Sequence, residues 1–178
     1  MNLPEPLYLA LSDNEWPDTG ITHDRSIVRA IVYDDDGYLY FVRAERDDDF
    51  GRATLIETSG GGVEEGEDLD TAIVRELSEE LGAIVEIVCS LGVVSDYYNL
   101  IHRHNIGNYY LCRVTAFAEK HLTQDEIEEF HLSTLKLTYE EALAEYERCA
   151  CTPLGRLLYQ REVPVLRQAR AVLDAVNE

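Results

Sequence analysis

The sequence is short of positive charge, of cysteine pairs and of long apolar runs, and each shortage removes a class of protein. Fifteen Lys and Arg stand against thirty-five Asp and Glu, a formal net charge of −20 over 178 residues. A nucleic-acid backbone is gripped by concentrated positive surface, so binding to nucleic acid is not expected. The opening MNLPEPLYLALSDNEW has no basic start and no sustained apolar stretch, and no later segment approaches the length of a membrane span. Neither a secretory signal nor a membrane partner is therefore expected. The four cysteines, Cys89, Cys112, Cys149 and Cys151, form no CxxC pair, and Cys149-Ala150-Cys151 alone defines no zinc site. Free thiols in a reducing, cytoplasmic setting are the expectation.

An apolar content of 46% is enough for one domain with a sizeable core. No internal repeat or low-complexity linker interrupts it. Residues 26–178 read as one domain, and residues 1–25, which mix Pro, Asp and Asn without periodicity, as an N-terminal arm. Ile27–Tyr33 and Tyr38–Val42 read as strands joined by the turn Asp34-Asp35-Asp36-Gly37. The triple Asp lacks the spacing of a calcium loop and its closing Glu. Asp47-Asp48-Asp49 is assigned to the next loop, and Thr54–Glu57 to a short strand. Further strands are expected at Ile84–Val88, Leu91–Val94 and Tyr109–Ala118. Helices are expected at Tyr139–Cys149 and from Pro164, as first helical residue, to the end. That last helix offers Val165, Leu166, Ala169, Val172, Leu173 and Val176 for packing or for a homodimer contact. The mixed order of elements implies an α/β or α+β layered fold.

After the glycine run Gly60-Gly61-Gly62, the segment Glu67 to Gly82 reads as a helix. Asp68 is its N-cap, Gly82 its C-terminal stop, and Leu69, Ile73, Leu77 and Leu81 its core-facing stripe. Glu76, Glu79 and Glu80 stand at i, i+3 and i+4, so their carboxylates share one side, about a quarter turn from that stripe. Like charges so spaced cost about 0.2–0.5 kcal/mol per pair. An anion in the last turn of a helix loses roughly a further 0.3–1 kcal/mol to the dipole. Arg75 is the one nearby base, placed to brace Glu79. A hard divalent cation such as Mg²⁺ converts that repulsion into coordination and keeps positions for water and phosphate. A solvated acidic face explains the same three residues, and residue physics alone leaves the two readings open.

The stretch GGVEEGEDLDTAIVRELSEELGA, from Gly61 to Ala83, resembles the Nudix box, G-x5-E-x7-R-E-U-x-E-E-x-G-U with U a bulky aliphatic residue. Every fixed Gly, Glu and Arg is in place, and the one departure is Ala83, followed at once by Ile84. The resemblance implies an α/β/α sandwich on a mixed sheet, with the box as a loop–helix–loop. It implies Glu76, Glu79 and Glu80 as metal ligands, joined by the Gly60 carbonyl, with Arg75 orienting the glutamates and Glu67 holding the loop against the helix. The activity implied is Mg²⁺-dependent hydrolysis, with Mn²⁺ as a substitute, of a pyrophosphate bond in a nucleoside diphosphate linked to a second group. Modified dNTPs, ADP-ribose, nucleotide sugars and dinucleoside polyphosphates all fit. A catalytically silent nucleotide-binding module is the alternative; retention of all three acids and the lack of a basic appendage weigh against it.

A general base is expected at Glu79 or in a distal loop, where Glu126, Glu128 and Glu129 are available and Glu129, beside Phe130, is singled out. For substrate contacts the sequence offers Tyr97 and Tyr98, Glu57 in the strand entering the box, and His102, Arg103 and His104. That last group reads as the one small cluster of anion contacts in an acidic chain. Tyr8 and Trp16 are aromatic residues of the arm that could stack on a base or pin the arm to the core.

Overall fold

A computed structural model describes residues 3–177. The elements, in order, are β1 (Leu7–Ala10), β2 (His23–Tyr33), β3 (Leu39–Asp48), β4 (Gly51–Glu57), β5 (Ser59–Gly62), α1 (Leu69–Leu81), β6 (Ala83–Tyr98), a 3₁₀ turn (Asn99–Ile101), β7 (Arg103–Phe117), α2 (Gln124–Glu128), β8 (Ser133–Leu137), α3 (Tyr139–Cys149) and α4 (Pro153–Asn177). The strands form one mixed sheet in the order β1-β6-β7-β2-β3-β4, with β5 on β2 and β8 on β3. The β1–β6 and β2–β7 pairs are parallel and the others antiparallel.

Alternation along the strands feeds two cores. Val28, Ala30 and Val32 of β2, with Tyr110, Cys112 and Val114 of β7, pack against Ala72, Ile73, Leu77 and Leu81 of α1. Ile31 of β2, and Tyr109 and Leu111 of β7, face the other way, onto α3 and α4. Successive strand residues point to opposite faces, so both faces of a central strand are covered and the result is an α/β/α sandwich. Burying a side chain such as Ile73 or Leu77 contributes about 1.5–3 kcal/mol.

The β2–β3 pairing covers only Val32 with Tyr40 and Tyr33 with Leu39. Beyond it the strands part: Ile27 to Ala30 of β2 pair with β5, and Val42 to Asp48 of β3 pair with β4. The glycines of β5 thus lie beside an opening in the sheet.

Several expected boundaries shift. Asp47 and Asp48 belong to β3, which pairs through Asp48 with Gly51, so the turn is carried by Asp49 and Phe50 alone. The two strands expected between Ile84 and Val94 are one long β6, whose register slips at three points, and bulges of that kind break the hydrophobic alternation that marks a strand. β7 starts at Arg103, where it pairs with His23, six residues before the expected start. Pro164 lies inside α4. The first helical proline is Pro153, after Thr152, whose hydroxyl accepts from the Gly155 N–H at 3.1 Å. An internal proline removes one hydrogen bond from the ladder and reads in sequence as a start. Within α4, Val165, Leu166, Ala169 and Val172 are buried against the chain's own sheet and α3. The first strand, β1, continues the sheet beyond β6, and Trp16 packs edge-on against Phe50 with ring centroids 5.3 Å apart. Tyr8 is 75% exposed. Among the described residues no helix is long and apolar enough to cross a membrane.

Candidate active site

α1 forms where its ends are capped. The Asp68 carboxylate accepts from the Thr71 N–H at 2.9 Å and its hydroxyl at 2.8 Å, while Gly82, at φ 63°, returns its N–H to the Leu77 and Ser78 carbonyls. The leucine stripe then fixes the rotation of the helix, and rotation decides where its acids go. Glu76 and Glu80 are buried, 9% and 8% exposed, and the Glu79 side chain is 39% exposed. Two of the three carboxylates therefore sit under the sheet opening, and the acidic side of α1 is not a solvated face.

Arg75 binds the loop to the helix. Its Nε and Nη2 donate to the two oxygens of Glu67 at 2.8 and 2.9 Å, its Nη2 also to the Gly62 carbonyl at 3.1 Å, and its Nη1 to Glu76 at 2.8 Å and Glu79 at 3.4 Å. A bidentate Arg–carboxylate pair is rigid as well as strong. It holds Glu67 down to about 2, with help from the Glu64 N–H.

Glu80 has no such cation. Its Oε2 accepts from the Ser59 hydroxyl at 2.6 Å and the Gly60 N–H at 3.0 Å. Burial nevertheless pushes its carboxyl up to about 7, the hydrogen bonds and the more distant Arg29 offsetting only part of the cost. Burial also raises Glu76 despite Arg75. Gly61 leaves room for that carboxylate, since a Cβ there would fall 2.6 Å from it.

These carboxylates and Gly60, Gly61 and Gly62 line a cavity of about 380 Å³. Its other wall holds four arginines: Arg25 and Arg29 from β2, Arg46 from β3 and Arg103 from β7. Arg25 and Arg29 reach one side because strand side chains repeat every second residue. Glu57 lies between Arg29 and Arg46, at 3.7 and 3.6 Å. Carboxylates on one side and guanidiniums on the other can grip a metal-bound polyphosphate from both ends.

The family model of the NUDIX domain matches residues 23–148. The chain belongs to the Nudix family. No curated protein matches its sequence. Among solved structures, a NUDIX hydrolase from Nitrosomonas europaea superposes with a TM-score of 0.61 at 16% identity, covering 86% of this chain and 90% of that one. A structure titled ADP compounds hydrolase gives 0.59 at 21% identity, covering 85% and 74%. The E. coli ORF135 protein gives 0.56 at 24% identity, covering 85% and 92%. At these identities the likeness is one of fold.

Within this Nudix domain the expected site residues divide. Glu57, Gly60, Gly61, Glu76, Glu80 and Arg103 line the cavity. Glu67 and Arg75 brace it from beneath, Glu79 reaches Arg75 at its edge, and Gly82 caps the helix. Tyr98 lines a smaller adjoining pocket. Tyr97, on the opposite face of β6, stacks on His104 with centroids 4.5 Å apart, and His104 bonds Ser95 and Asp24 at 2.6 and 3.0 Å. His102, at φ 55°, bonds the Gly20 carbonyl at 2.9 Å. Neither histidine lines the cavity. The expected cluster of His102, Arg103 and His104 is therefore split: His102 ends the 3₁₀ turn, His104 faces away from Arg103 as alternate strand residues do, and the other arginines of the cavity come from β2 and β3. The Arg25-x-Ile27-x-Arg29 alternation was the available signal for two of them. In the distal segment Glu126 lines the cavity, while Glu129 ends α2 with its N–H on the Asp125 carbonyl. Glu128 is held by Gln124.

Among the described residues no three His, Cys, Asp or Glu side chains converge as a ready cage. Glu76 and Glu80 supply two buried oxygen donors of the kind a hard divalent cation takes, with Glu79 one turn away. The burial that keeps Glu80 from ionising freely is the cost a cation would offset, so the residues fit such an ion.

Proposed function

We propose that this Nudix domain hydrolyses a phosphoanhydride bond in a nucleoside diphosphate derivative, using a divalent metal ion held by Glu76, Glu79 and Glu80 with the Gly60 carbonyl. The observation that carries this reading is the single cavity in which buried Glu76 and Glu80 face Arg25, Arg29, Arg46 and Arg103. Nudix proteins generally use divalent metals, and Mg²⁺, with Mn²⁺ as substitute, fits an all-oxygen donor set. When bound, the ion supplies Lewis acidity and a lowered pKa for water.

The chain's own groups do the rest. The arginines hold the phosphate oxygens in line, and Arg75 keeps Glu76 and Glu79 from swinging to solvent. Glu126, which lines the cavity, is the group assigned the role of general base. One of its oxygens is fixed by the Thr123 N–H at 2.7 Å, and the other has no hydrogen-bond partner among the described residues. It would accept the proton of the attacking water as the new P–O bond forms, while the bridging P–O bond breaks and its electron pair leaves with the departing phosphate.

The test is Mg²⁺-dependent phosphate or nucleotide release across modified dNTPs, ADP-ribose, nucleotide sugars and dinucleoside polyphosphates, with Glu80→Gln as control. Turnover of at least one compound, lost in the control, supports hydrolysis. Binding without turnover of any compound would instead indicate a silent recognition module.

A further inference from the structure

Each of the three box carboxylates is tied down through one oxygen only. Glu76 is held through its Oε1 by Arg75 at 2.8 Å, and Glu79 through its Oε2 by the same guanidinium at 3.4 Å. Glu80 is held through its Oε2 by the Ser59 hydroxyl at 2.6 Å and the Gly60 N–H at 3.0 Å. The second oxygen of each has no hydrogen-bond partner among the described residues, and none of these oxygens is sealed inside the protein. The site therefore offers one free oxygen from each carboxylate.

Arg75 restrains two of the acids, and the third depends on a residue outside the helix. Ser59 opens β5 and pairs in register with Ala30 of β2, which faces α1, so the Ser59 side chain faces α1 as well. Thr58, one residue earlier, turns its hydroxyl the other way, to Glu162 in α4. Ser59 is fully buried, and Glu80 is the one hydrogen-bond partner of its hydroxyl among the described residues. A sealed hydroxyl adds nothing to the apolar packing of α1 and costs desolvation unless it is bonded. What it does here is keep one oxygen of Glu80 engaged. Without it, only the longer Gly60 bond would hold that carboxylate.

Cations differ in what they ask of a carboxylate. Ca²⁺ accepts roughly six to eight oxygens in flexible arrangements and readily takes both oxygens of one carboxylate, whereas the smaller Mg²⁺ demands near-ideal octahedral placement. Carboxylates that each present one oxygen suit the second ion better than the first. We infer that Ser59 is a positioning residue that sets the choice of cation: by keeping one Glu80 oxygen occupied, it favours Mg²⁺ over Ca²⁺. The inference rests on the divalent-metal reading of the site, but it concerns binding of the ion alone, without substrate or turnover.

Electron paramagnetic resonance of free Mn²⁺, with Mg²⁺ and Ca²⁺ as competitors, would give the affinities of substrate-free wild type, Ser59→Ala and Ser59→Cys. Cysteine keeps a small side chain in place but replaces the hydroxyl with a weak donor. Wild type should hold Mg²⁺ more tightly than Ca²⁺. Removing a group that orients a metal ligand costs roughly tenfold to a hundredfold in affinity, so Mg²⁺ should weaken by that factor in both variants. Ca²⁺, able to take the released oxygen, should weaken by less than about threefold. A merely structural role would weaken both ions alike, so equal factors for the two, or no change in either, would overturn the inference. A wild type that prefers Ca²⁺ would overturn it too. Circular dichroism in EDTA shows whether each variant folds; if neither does, the wild-type order of the two ions decides. If wild type binds no Mn²⁺ at all, the divalent-metal reading falls and the role of Ser59 with it, whereas equal factors overturn the role of Ser59 alone.

Discussion

Glu162, fully buried in the middle of α4, accepts two hydrogen bonds from Thr58, one from its N–H at 2.9 Å and one from its hydroxyl at 2.7 Å. Thr58 is the residue between β4 and β5, two before Gly60, and its own carbonyl accepts from Arg29 at 2.7 Å. The helical layer remote from α1 is thereby tied to the strand that carries the glycine run. Glu162 also pairs with Arg161 and accepts from the Tyr146 hydroxyl. Burial works against its charge, but Arg161 and Arg29 outweigh that and keep its carboxyl below the usual range. Breaking such a buried pair from one side costs about 3–5 kcal/mol. Glu162→Ala should destabilise by that order in urea titration, and Thr58→Val by about 1–3 kcal/mol. If both variants unfold at the wild-type midpoint, the link carries no stability.

Adjacent glycines should fail in different ways. Gly60 has φ 148°, and a Cβ there would stand 2.0 Å from the Val28 carbonyl oxygen, a backbone atom that cannot move aside. Gly60→Ala should therefore cost about 3 kcal/mol or more, beyond the range of ordinary substitutions. At Gly61 the obstruction is the movable end of Glu76, so Gly61→Ala should stay within about 1 kcal/mol of wild type. Its hydrolytic activity should nonetheless fall at least tenfold, since Glu76 is displaced from the cavity. Denaturation and turnover measured on both variants separate the two outcomes; a stable, fully active Gly61→Ala would refute the placement of Glu76.

Glu80→Gln isolates the cost of burying a charge with no cation beside it. The amide keeps an oxygen for Ser59 and Gly60 and removes the charge that burial opposes. In EDTA the variant should melt at or above the wild-type temperature. In millimolar Mg²⁺ wild type should gain, and the variant should gain little, because an ion bound only by the folded form stabilises by mass action. A Mg²⁺-induced rise of equal size in both proteins would argue against Glu80 as a ligand.

The box helix was legible in the sequence because all its determinants are local. Asp68, the leucine stripe and Gly82 set its limits, and its rotation then followed, although only the sheet overhead shows that Glu76 and Glu80 are buried while Glu79 is not. The sandwich and its mixed sheet were legible through the Nudix resemblance. The arginine wall was not, because Arg25, Arg46 and Arg103 meet only through β2, β3 and β7, residues far apart in the chain. Nor was the start of α4, where Pro164 imitates the signal that Pro153 carries. Grouping Arg103 with His104 treated sequence neighbours as spatial ones, which a strand forbids, and His102 belongs to the turn before it.

The Arg75–Glu67 clamp predicts a particular acid response. Arg75 first, and then the Glu64 N–H, lowers the Glu67 carboxyl from 4.5 to about 2. A carboxyl lowered on folding contributes stability that is complete above its unfolded value and vanishes as pH falls through the folded one. The difference in urea midpoint between wild type and Glu67→Gln should thus be constant from pH 7 to about pH 5 and shrink below it, toward zero near pH 2. A difference that held steady down to pH 3 would show that the charge of Glu67 contributes nothing.

Glu126 and Glu129 lie in the same short segment, yet only Glu126 lines the cavity. If the base is Glu126, Glu126→Gln should lower kcat by about 10² to 10⁴, the usual contribution of a positioned base, with little change in KM. The amide can still bond the Thr123 N–H, so the capping box loses little and α2 should hold. Glu129→Gln should leave kcat within about twofold, as expected of a surface substitution worth no more than about 0.5 kcal/mol. The reverse pattern, with Glu129→Gln slow and Glu126→Gln near wild type, would mean that the segment beyond β7 rearranges when substrate binds and that the base is the residue beside Phe130.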